Sequence, residues 1–270
     1  MNAGTLSKLQ VDDLQLAYRE AGSGPPVLLL HGWPTSSFLW RNVMRAIARE
    51  NRVLALDLPG FGASDKPLGL RYSFEFFARA IDGFLAALDV DEVGLAVHDL
   101  GGPVGLHWAL DRPERVTKLA LLNTLVYPEF SPEVIEFVTA LSTPEDRDRI
   151  TSPEGLAELF RQAGDGLTDE VLAGVLEPFD SDESRWALAD AGIGLDPQGF
   201  VDIAARLSTL RMPVRIVYGE RDGVLPDVAQ TMERVRRDLP QAEVTALPHG
   251  HFLQEEAPEE VGELLGRFFA

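Results

Sequence analysis

The stretch that most constrains how this 270-residue chain folds runs from Val93 to Trp108. Val93-Gly94-Leu95-Ala96-Val97 is a short apolar run of the kind that forms a strand buried on both faces. It leads through His98 to a single acid, Asp99, and then to Leu100-Gly101-Gly102-Pro103, after which helical periodicity takes over. Small residues beyond a buried strand let the backbone turn sharply and pack close. A strand-to-helix turn of this type, a nucleophile elbow, pushes its central side chain out over the sheet edge. The next backbone N–H then points at that side chain from the helix N-terminus. A second reading stands beside it: Asp is a favoured N-cap, and Asp99 can serve the following helix in that role.

Composition narrows the surroundings. The 45% apolar share suits a substantial core, in one large α/β domain or a domain with a sizeable insertion. With no cysteine, disulfides, thiolate metal sites and a thiol nucleophile are excluded. The formal net charge of −19 argues against a nucleic-acid partner, because phosphate binding needs a basic face; a solvated acidic surface accounts for it. Met1 to Lys8 lacks the charged-then-apolar pattern of a signal peptide, and no apolar run is long enough to span a bilayer. A cytoplasmic location without a membrane partner is therefore expected.

Along the chain, Leu9–Val11 and Leu14–Arg19 read as a hairpin, and Val27–Leu30 as a buried strand ending at His31-Gly32-Trp33-Pro34. A helix capped by Ser36 or Ser37 should follow, with Phe38, Leu39, Val43, Met44 and Ile47 facing inward. Val53–Leu56 is another strand, Ser73 caps a helix reaching about Leu88, and Leu119–Leu122 is a strand closing at Asn123-Thr124. Alternating strands and helices imply right-handed crossovers and a parallel sheet covered on both faces, with ligands beyond the carboxyl ends of the strands. His31, Asp57, Asp99 and Asn123 all fall there.

From about 126 to 206 the pattern changes to a Pro-, Asp-, Glu- and Ser-rich stretch with helical pieces around Pro132–Leu141, Pro153–Ala163, Thr168–Leu176 and Asp182–Ala191. It contains no convincing buried strand, and the apolar faces of its pieces mark it as an inserted helical cap rather than a disordered segment. The α/β rhythm then resumes with a strand at Val214–Tyr218, a helix from Pro226 to about Leu239, a strand at Val244–Leu247 and a final helix from Pro258 to Phe269. The expected organisation is a core of 1–125 and 207–270 carrying a cap at 126–206.

Two of these later strands end at chemically suggestive residues. Asp222 follows the first, in Gly219-Glu220-Arg221-Asp222-Gly223, and His251 follows the second, in Pro248-His249-Gly250-His251-Phe252. With Asp99 upstream, the chain order is nucleophile, acid, histidine, the order of α/β-hydrolases. This supports the elbow reading of Asp99.

Here the sequence resembles the haloalkane dehalogenases and their relatives the epoxide hydrolases. The resemblance covers nearly the whole core. It rests on His31-Gly32-Trp33-Pro34-Thr35-Ser36-Ser37-Phe38-Leu39-Trp40-Arg41-Asn42, Asp57-Leu58-Pro59-Gly60-Phe61-Gly62-Ala63-Ser64-Asp65-Lys66-Pro67, Val97-His98-Asp99-Leu100-Gly101-Gly102 and His251-Phe252-Leu253-Gln254-Glu255-Glu256. It implies an α/β-hydrolase fold, a mostly parallel twisted sheet flanked by helices with an inserted helical cap. It also implies Asp99 as nucleophile and His251, directly before the phenylalanine, as the catalytic histidine rather than His249. Some members carry the acid after the strand that here ends at Asn123; that position is not acidic in this chain, so Asp222 is the match.

The chemistry agrees with this spelling. A carboxylate is already ionised near neutral pH, so Asp99 can displace a leaving group from an sp³ carbon and form an alkyl ester. His251, oriented by Asp222, would activate water against that ester, and backbone N–H groups of Trp33 and Leu100 would hold the oxyanion. The partners are then a small-molecule substrate and water, with no cofactor and no metal. Asp57 reads as structural, His31 and His98 as supports of the oxyanion loop and elbow, His107 as structural, and Trp40 and Trp108 as core.

The resemblance breaks at the leaving-group site. Dehalogenases of this family usually hold the halide with a tryptophan directly after the nucleophile and an asparagine or second tryptophan elsewhere. Here those positions are Leu100, which has no donor, and Trp33, whose indole N–H can donate. Trp186 in the cap is a candidate second donor, and Tyr127 at the cap's edge a candidate acid for opening an epoxide. Carbon–halogen hydrolysis is the first expectation and epoxide hydrolysis to a diol the alternative. A non-catalytic ligand receptor on the same fold is the second alternative, and the intact Asp99/Asp222/His251 set argues against it.

Overall fold

The period-two and continuous apolar runs resolve into one sheet. The computed structural model describes residues 4–164 and 168–270. The start of the N-terminal stretch, 1–3, and positions 165–167 within the expected cap lie outside the described residues. Strands β1 (Thr5–Val11) and β2 (Leu14–Ala21) form the hairpin, turning at Asp12 with φ +48°. They are followed by β3 (Pro26–Leu30), β4 (Arg52–Leu56), β5 (Val93–Asp99), β6 (Val116–Thr124), β7 (Val214–Gly219) and β8 (Ala242–Leu247). Among the described residues these make an eight-stranded sheet in the order β1-β2-β4-β3-β5-β6-β7-β8. β1 pairs with β2, and β2 with β4, antiparallel; all the other pairings are parallel.

Burial on both faces explains why the central strands carry no alternation. On β3, Leu28 and Leu30 join one core cluster and Val27 and Leu29 the other. The first face is covered by α2 (Phe74–Ala87), α3 (Gly101–Asp111) and α10 (Val228–Asp238); Phe77, Phe84 and Leu106 reach the sheet from it. The second face is covered by α1 (Met44–Ile47), α11 (Leu253–Glu256) and α12 (Pro258–Phe269), with Ile47, Val261 and Leu265. Every residue of β5 is buried, and Ser73 caps α2 through the Phe76 N–H.

The segment after β3 departs from expectation. Instead of one helix there is a 3₁₀ turn, Ser37–Trp40, capped by Ser36, and then the short α1. Tertiary contacts override the apolar periodicity here. The Ser37 N–H is held by Asp57 Oδ1 at 2.6 Å, and Arg41 spends its guanidinium on the Phe38 carbonyl and on Glu255.

Between β6 and β7 lie α4 (Pro132–Leu141), α5 (Pro144–Thr151), α6 (Pro153–Ala163), α7 (Asp169–Leu176), α8 (Asp182–Ile193) and α9 (Pro197–Arg206). The sequence reading lacked α5 and α9. The α5 segment, Pro-Glu-Asp-Arg-Asp-Arg-Ile-Thr, shows almost no apolar face. The start of α9 is signalled by Asp196, which caps the Gln198 N–H at 2.7 Å with Pro197 in the first turn, and Phe200 and Ile203 bury its inner side. Among the described residues no helix is long and apolar enough to cross a membrane.

Asp57 ties two loops at the carboxyl edge together. It lies 2% exposed, accepting from Ser37 N at 2.6 Å and from Ala63 N at 2.8 Å. Replacing it with Ala strands the buried Ser37 N–H and the half-buried Ala63 N–H. Asp57→Ala is expected to lower unfolding free energy by about 2–4 kcal/mol, read as a lower denaturant midpoint at unchanged slope.

Candidate active site

Asp99 sits at the tip of central strand β5 with φ +49°, a left-handed conformation that a non-glycine residue adopts only under constraint. The constraint is visible on both sides. A Cβ on Gly32 would lie 2.3 Å from the Asp99 Cβ, and one on Gly102 would lie 1.6 Å from Thr124 Oγ1. That Thr124 hydroxyl donates to the Asp99 carbonyl at 2.6 Å. Glycine at both positions lets the elbow press against the loop after β3 on one side and β6 on the other. The capping reading of Asp99 does not survive: the N-cap of α3 is Leu100, with no side-chain cap bond. The Asp99 carboxylate accepts instead from the Trp33 N–H, at 2.7 Å to Oδ1, and from the Leu100 N–H.

His251 Nε2 lies 3.6 Å from Asp99 Oδ2, and its Nδ1–H donates to Asp222 Oδ2 at 2.8 Å. Nε2 is buried and makes no hydrogen bond. The other oxygen of Asp222 accepts from Val224 N at 2.8 Å and Leu225 N at 2.7 Å. The structure thus brings Asp99, His251 and Asp222 together.

It adds a role for Asn123, which the sequence places at a strand's carboxyl end without a function. Asn123, fully buried with φ +30°, donates from Nδ2 to Asp222 Oδ2 at 2.7 Å and accepts from Gly219 N at 3.0 Å. Its place at a strand tip beside the one bearing Asp222 was the available signal.

The two neighbouring histidines have defined hydrogen bonds. His31 Nε2 accepts from the Leu58 N–H at 3.1 Å, so its proton is on Nδ1, facing the Gly32 carbonyl at 2.9 Å. His98 Nε2–H donates to the His251 carbonyl at 3.0 Å, with the two rings 4.7 Å apart. Burial, and then the proximity of His251, hold the His98 imidazole well below its ordinary pKa.

The three central groups are tuned by opposing effects. Burial pushes the Asp99 carboxyl above the usual carboxylate range, outweighing His251 and the two N–H donors. Burial acts the same way on Asp222. There, however, the His251 charge, the hydrogen bonds from His251 and Asn123 and the Leu225 N–H prevail and lower it. For His251 burial disfavours the cation, but Asp222 foremost, and then Asp99, raise its pKa above the ordinary value.

These groups form the floor of a cavity of about 520 Å³. Asp99, Leu100, Trp33 and His251 line its base, and apolar side chains such as Val134, Phe137, Leu159 and Ile193 from the inserted helices line its walls.

Three expected leaving-group contacts need correction. The Trp33 ring does line the cavity, but its indole N–H donates to the Leu188 carbonyl of α8 at 2.9 Å. Gly192 makes the room, since a Cβ there would lie 2.9 Å from Nε1. Trp186 is outside the cavity, 40% exposed, donating to Asp148 at 3.1 Å. It lies two residues before Leu188, roughly 200° around the helix from the face that meets Trp33. Tyr127 is also outside: its hydroxyl donates to Asp238 of α10 at 2.7 Å, and Arg234 covers its ring at 3.7 Å. Burial, followed by Asp238, raises that phenol's pKa.

Comparison with known proteins adds the following. Residues 25–258 match the family model described as alpha/beta hydrolase fold. The chain is 34% identical over 269 residues to a haloalkane dehalogenase of Agrobacterium fabrum, covering 93% of this chain and 87% of the relative. It is 32% identical to one from Sphingobium indicum, covering 96% and 93%. The crystal structure of the haloalkane dehalogenase DbeA from Bradyrhizobium elkani superposes with a TM-score of 0.86 at 27% identity, covering 98% of this chain and 97% of that one.

The electrostatics lead to an ordered expectation for His251. Its imidazole should titrate above 6.5 in the ligand-free protein, remaining protonated at higher pH than an isolated histidine. Asp222→Asn should lower that pKa more than Asp99→Asn does, because the Asp222 oxygen is at 2.8 Å and the Asp99 oxygen at 3.6 Å. Histidine NMR titration of the three proteins reads the order directly.

Proposed function

Because this chain belongs to the α/β-hydrolase family and, within it, to the haloalkane dehalogenases, we propose that it hydrolyses carbon–halogen bonds of small organic halides through an alkyl ester on Asp99. The observation that carries the reading is a buried carboxylate at the floor of an apolar cavity, faced by two backbone N–H groups and a histidine whose Nε2 is unpartnered. Segment 126–206 acts in this reading as a cap, covering the cavity floor so that bulk water is held off the nucleophile.

Asp99 Oδ1 is occupied by the Trp33 N–H, which leaves Oδ2 as the attacking atom. Its electron pair forms a bond to the sp³ carbon as the carbon–halogen bond breaks, and the halide departs with the bonding pair. Esterification removes the Asp99 charge. That charge helps to hold His251 protonated, so its loss favours the neutral imidazole when a base is needed. His251 Nε2 then takes a proton from water, whose oxygen attacks the ester carbonyl carbon. The Trp33 and Leu100 N–H groups hold the resulting oxyanion, and Asp222 stabilises the imidazolium. Collapse expels the alkoxide, which takes the His251 proton and leaves as the alcohol. The remaining water proton reaches solvent alongside the halide, and Asp99 is regenerated.

Leaving-group assistance is the sparse part of the site. Leu100 offers no donor, and the indole N–H of Trp33 is bonded to Leu188. The rate should therefore follow the intrinsic leaving ability of the halide, with iodide and bromide well ahead of chloride. Opening an epoxide needs an acid beside the departing oxygen, and no tyrosine is among the cavity-lining residues.

Two outcomes test this reading. His251→Phe treated with 1-bromohexane should accumulate a protein heavier by one hexyl group in intact-mass spectrometry, with one equivalent of bromide released, whereas Asp99→Ala should give neither. Unmodified His251→Phe protein after bromide release would exclude the ester.

The second outcome concerns the leaving group. Leu100→Trp restores an indole donor beside the nucleophile, and kcat/KM should rise, on the order of 10² for chloroalkanes and less for bromoalkanes. A wild-type enzyme that cleaves both halides equally fast would mean that a donor reaches the leaving group after all.

A further inference from the structure

The cavity contains a charged side chain that the proposed chemistry does not use. Apart from Asp99 and His251, Glu133 is the only charged group among the described lining residues, and none of these is a Lys or Arg. Glu133 makes no hydrogen bond or ion pair among the described residues, and it is exposed. Three other lining residues of α4 are also open to solvent, Ile135 at 53%, Val138 at 37% and Thr139. Helix α4 is therefore an open edge of the cavity.

The position of Glu133 along that helix relates it to the nucleophile. Phe137 packs edge-on against Trp33 with ring centroids 4.9 Å apart, and the Trp33 backbone N–H is the one bonded to Asp99. Glu133 precedes Phe137 by four residues. It therefore lies on the same helix face, about 6 Å farther along the axis. A chain with its reacting carbon at Asp99 that runs past Phe137 brings its far end to Glu133.

We propose that Glu133 is a specificity residue that favours substrates carrying a cation at the end remote from the halogen, the ω-halogenated alkylammonium class, over those with a remote carboxylate. This rests on the dehalogenation reading of Asp99. The physical ground is that a charged tail is disfavoured along walls built from apolar side chains. At the open edge a cation meets a carboxylate with no competing partner, while an anion meets like charge and no lysine or arginine. The chain's overall charge of −19 acts in the same direction, but as a diffuse field that salt screens.

The experiment measures kcat/KM by bromide release for 1-bromohexane, (6-bromohexyl)trimethylammonium and 6-bromohexanoate. It compares the wild type, Glu133→Gln and Glu136→Gln, Glu136 being an exposed acid of the same helix outside the cavity lining. The ratio of cationic to anionic substrate is expected to favour the cation in the wild type. It should fall about threefold to tenfold in Glu133→Gln and stay put in Glu136→Gln. A ratio unmoved by Glu133→Gln, or moved equally by Glu136→Gln, overturns the assignment. In that case turnover of 1-bromohexane leaves the dehalogenation standing. Absence of bromide release from all three substrates overturns both.

Discussion

A carboxylate buried at the base of an apolar cavity is the constraint that the rest of the molecule meets. Burial alone drives Asp99 toward its neutral form, which the proposed displacement could not use. The opposing groups are two backbone N–H donors and one imidazole, each delivered from a different part of the chain. The Trp33 N–H comes from the loop after β3, the Leu100 N–H from the first residue of the turn, and His251 from the loop after β8. For all three to converge, Asp99 must stand proud of the sheet edge, which the strained φ of +49° achieves at a cost of about 1–3 kcal/mol. Much of the surrounding architecture offsets that strain. Gly32 and Gly102 permit the approach, Thr124 holds the Asp99 carbonyl, and Asp57 and His31 fix the loop that carries Trp33.

The histidine is held with similar redundancy, and by groups that do not all titrate. Asp222 takes the Nδ1 proton, and its own charge is supported by two backbone N–H groups and by Asn123. From the opposite side His98, kept neutral by burial, donates to the backbone carbonyl of His251. The result fixes both the tautomer and the height of the ring, leaving Nε2 as the one unpartnered nitrogen on the cavity side. A neutral donor suits the His98 position, because a second cation 4.7 Å from the His251 ring would oppose the imidazolium of the proposed ester hydrolysis.

What could be read from the sequence followed from what local chemistry decides. The central strands announce themselves because burial on both faces permits little but apolar residues, as in Val27–Leu30 and Val93–Val97. Asp99 stands out because it closely follows such a run, and Asp222 and His251 because each lies in the short stretch after a later predicted strand. Side-chain direction on the inserted helices was beyond that kind of reading. Trp186 and Leu188 are two residues apart, yet the first faces Asp148 and solvent while the carbonyl of the second faces Trp33. Tyr127 looked placed for the cavity, but Asp238 and Arg234, more than a hundred residues later, capture it. Asn123 was passed over for a related reason: its role depends on a partner across the sheet edge, not on its neighbours in sequence. Helix α5, nearly devoid of apolar residues, is held by its neighbours rather than by an inner stripe of its own.

The Trp33 indole shows how the proposed leaving-group chemistry and the seating of α8 become one problem in this chain. Its ring is a cavity wall, its backbone N–H supports Asp99, and its side-chain N–H bonds a carbonyl of α8 across a seat made by Gly192. An indole N–H is a single donor. Giving it to a departing anion would mean withdrawing it from Leu188, and so loosening the contact between α8 and the loop that carries Trp33. A donor at position 100 would carry no such conflict, because that side chain lines the cavity without bonding the inserted helices. With leucine there, the chain keeps an apolar floor and a firmly seated α8, and forgoes a dedicated donor for the halide. The proposed chemistry would then depend more heavily on a buried, well-aimed carboxylate, which is the feature the rest of the fold is built to hold in place.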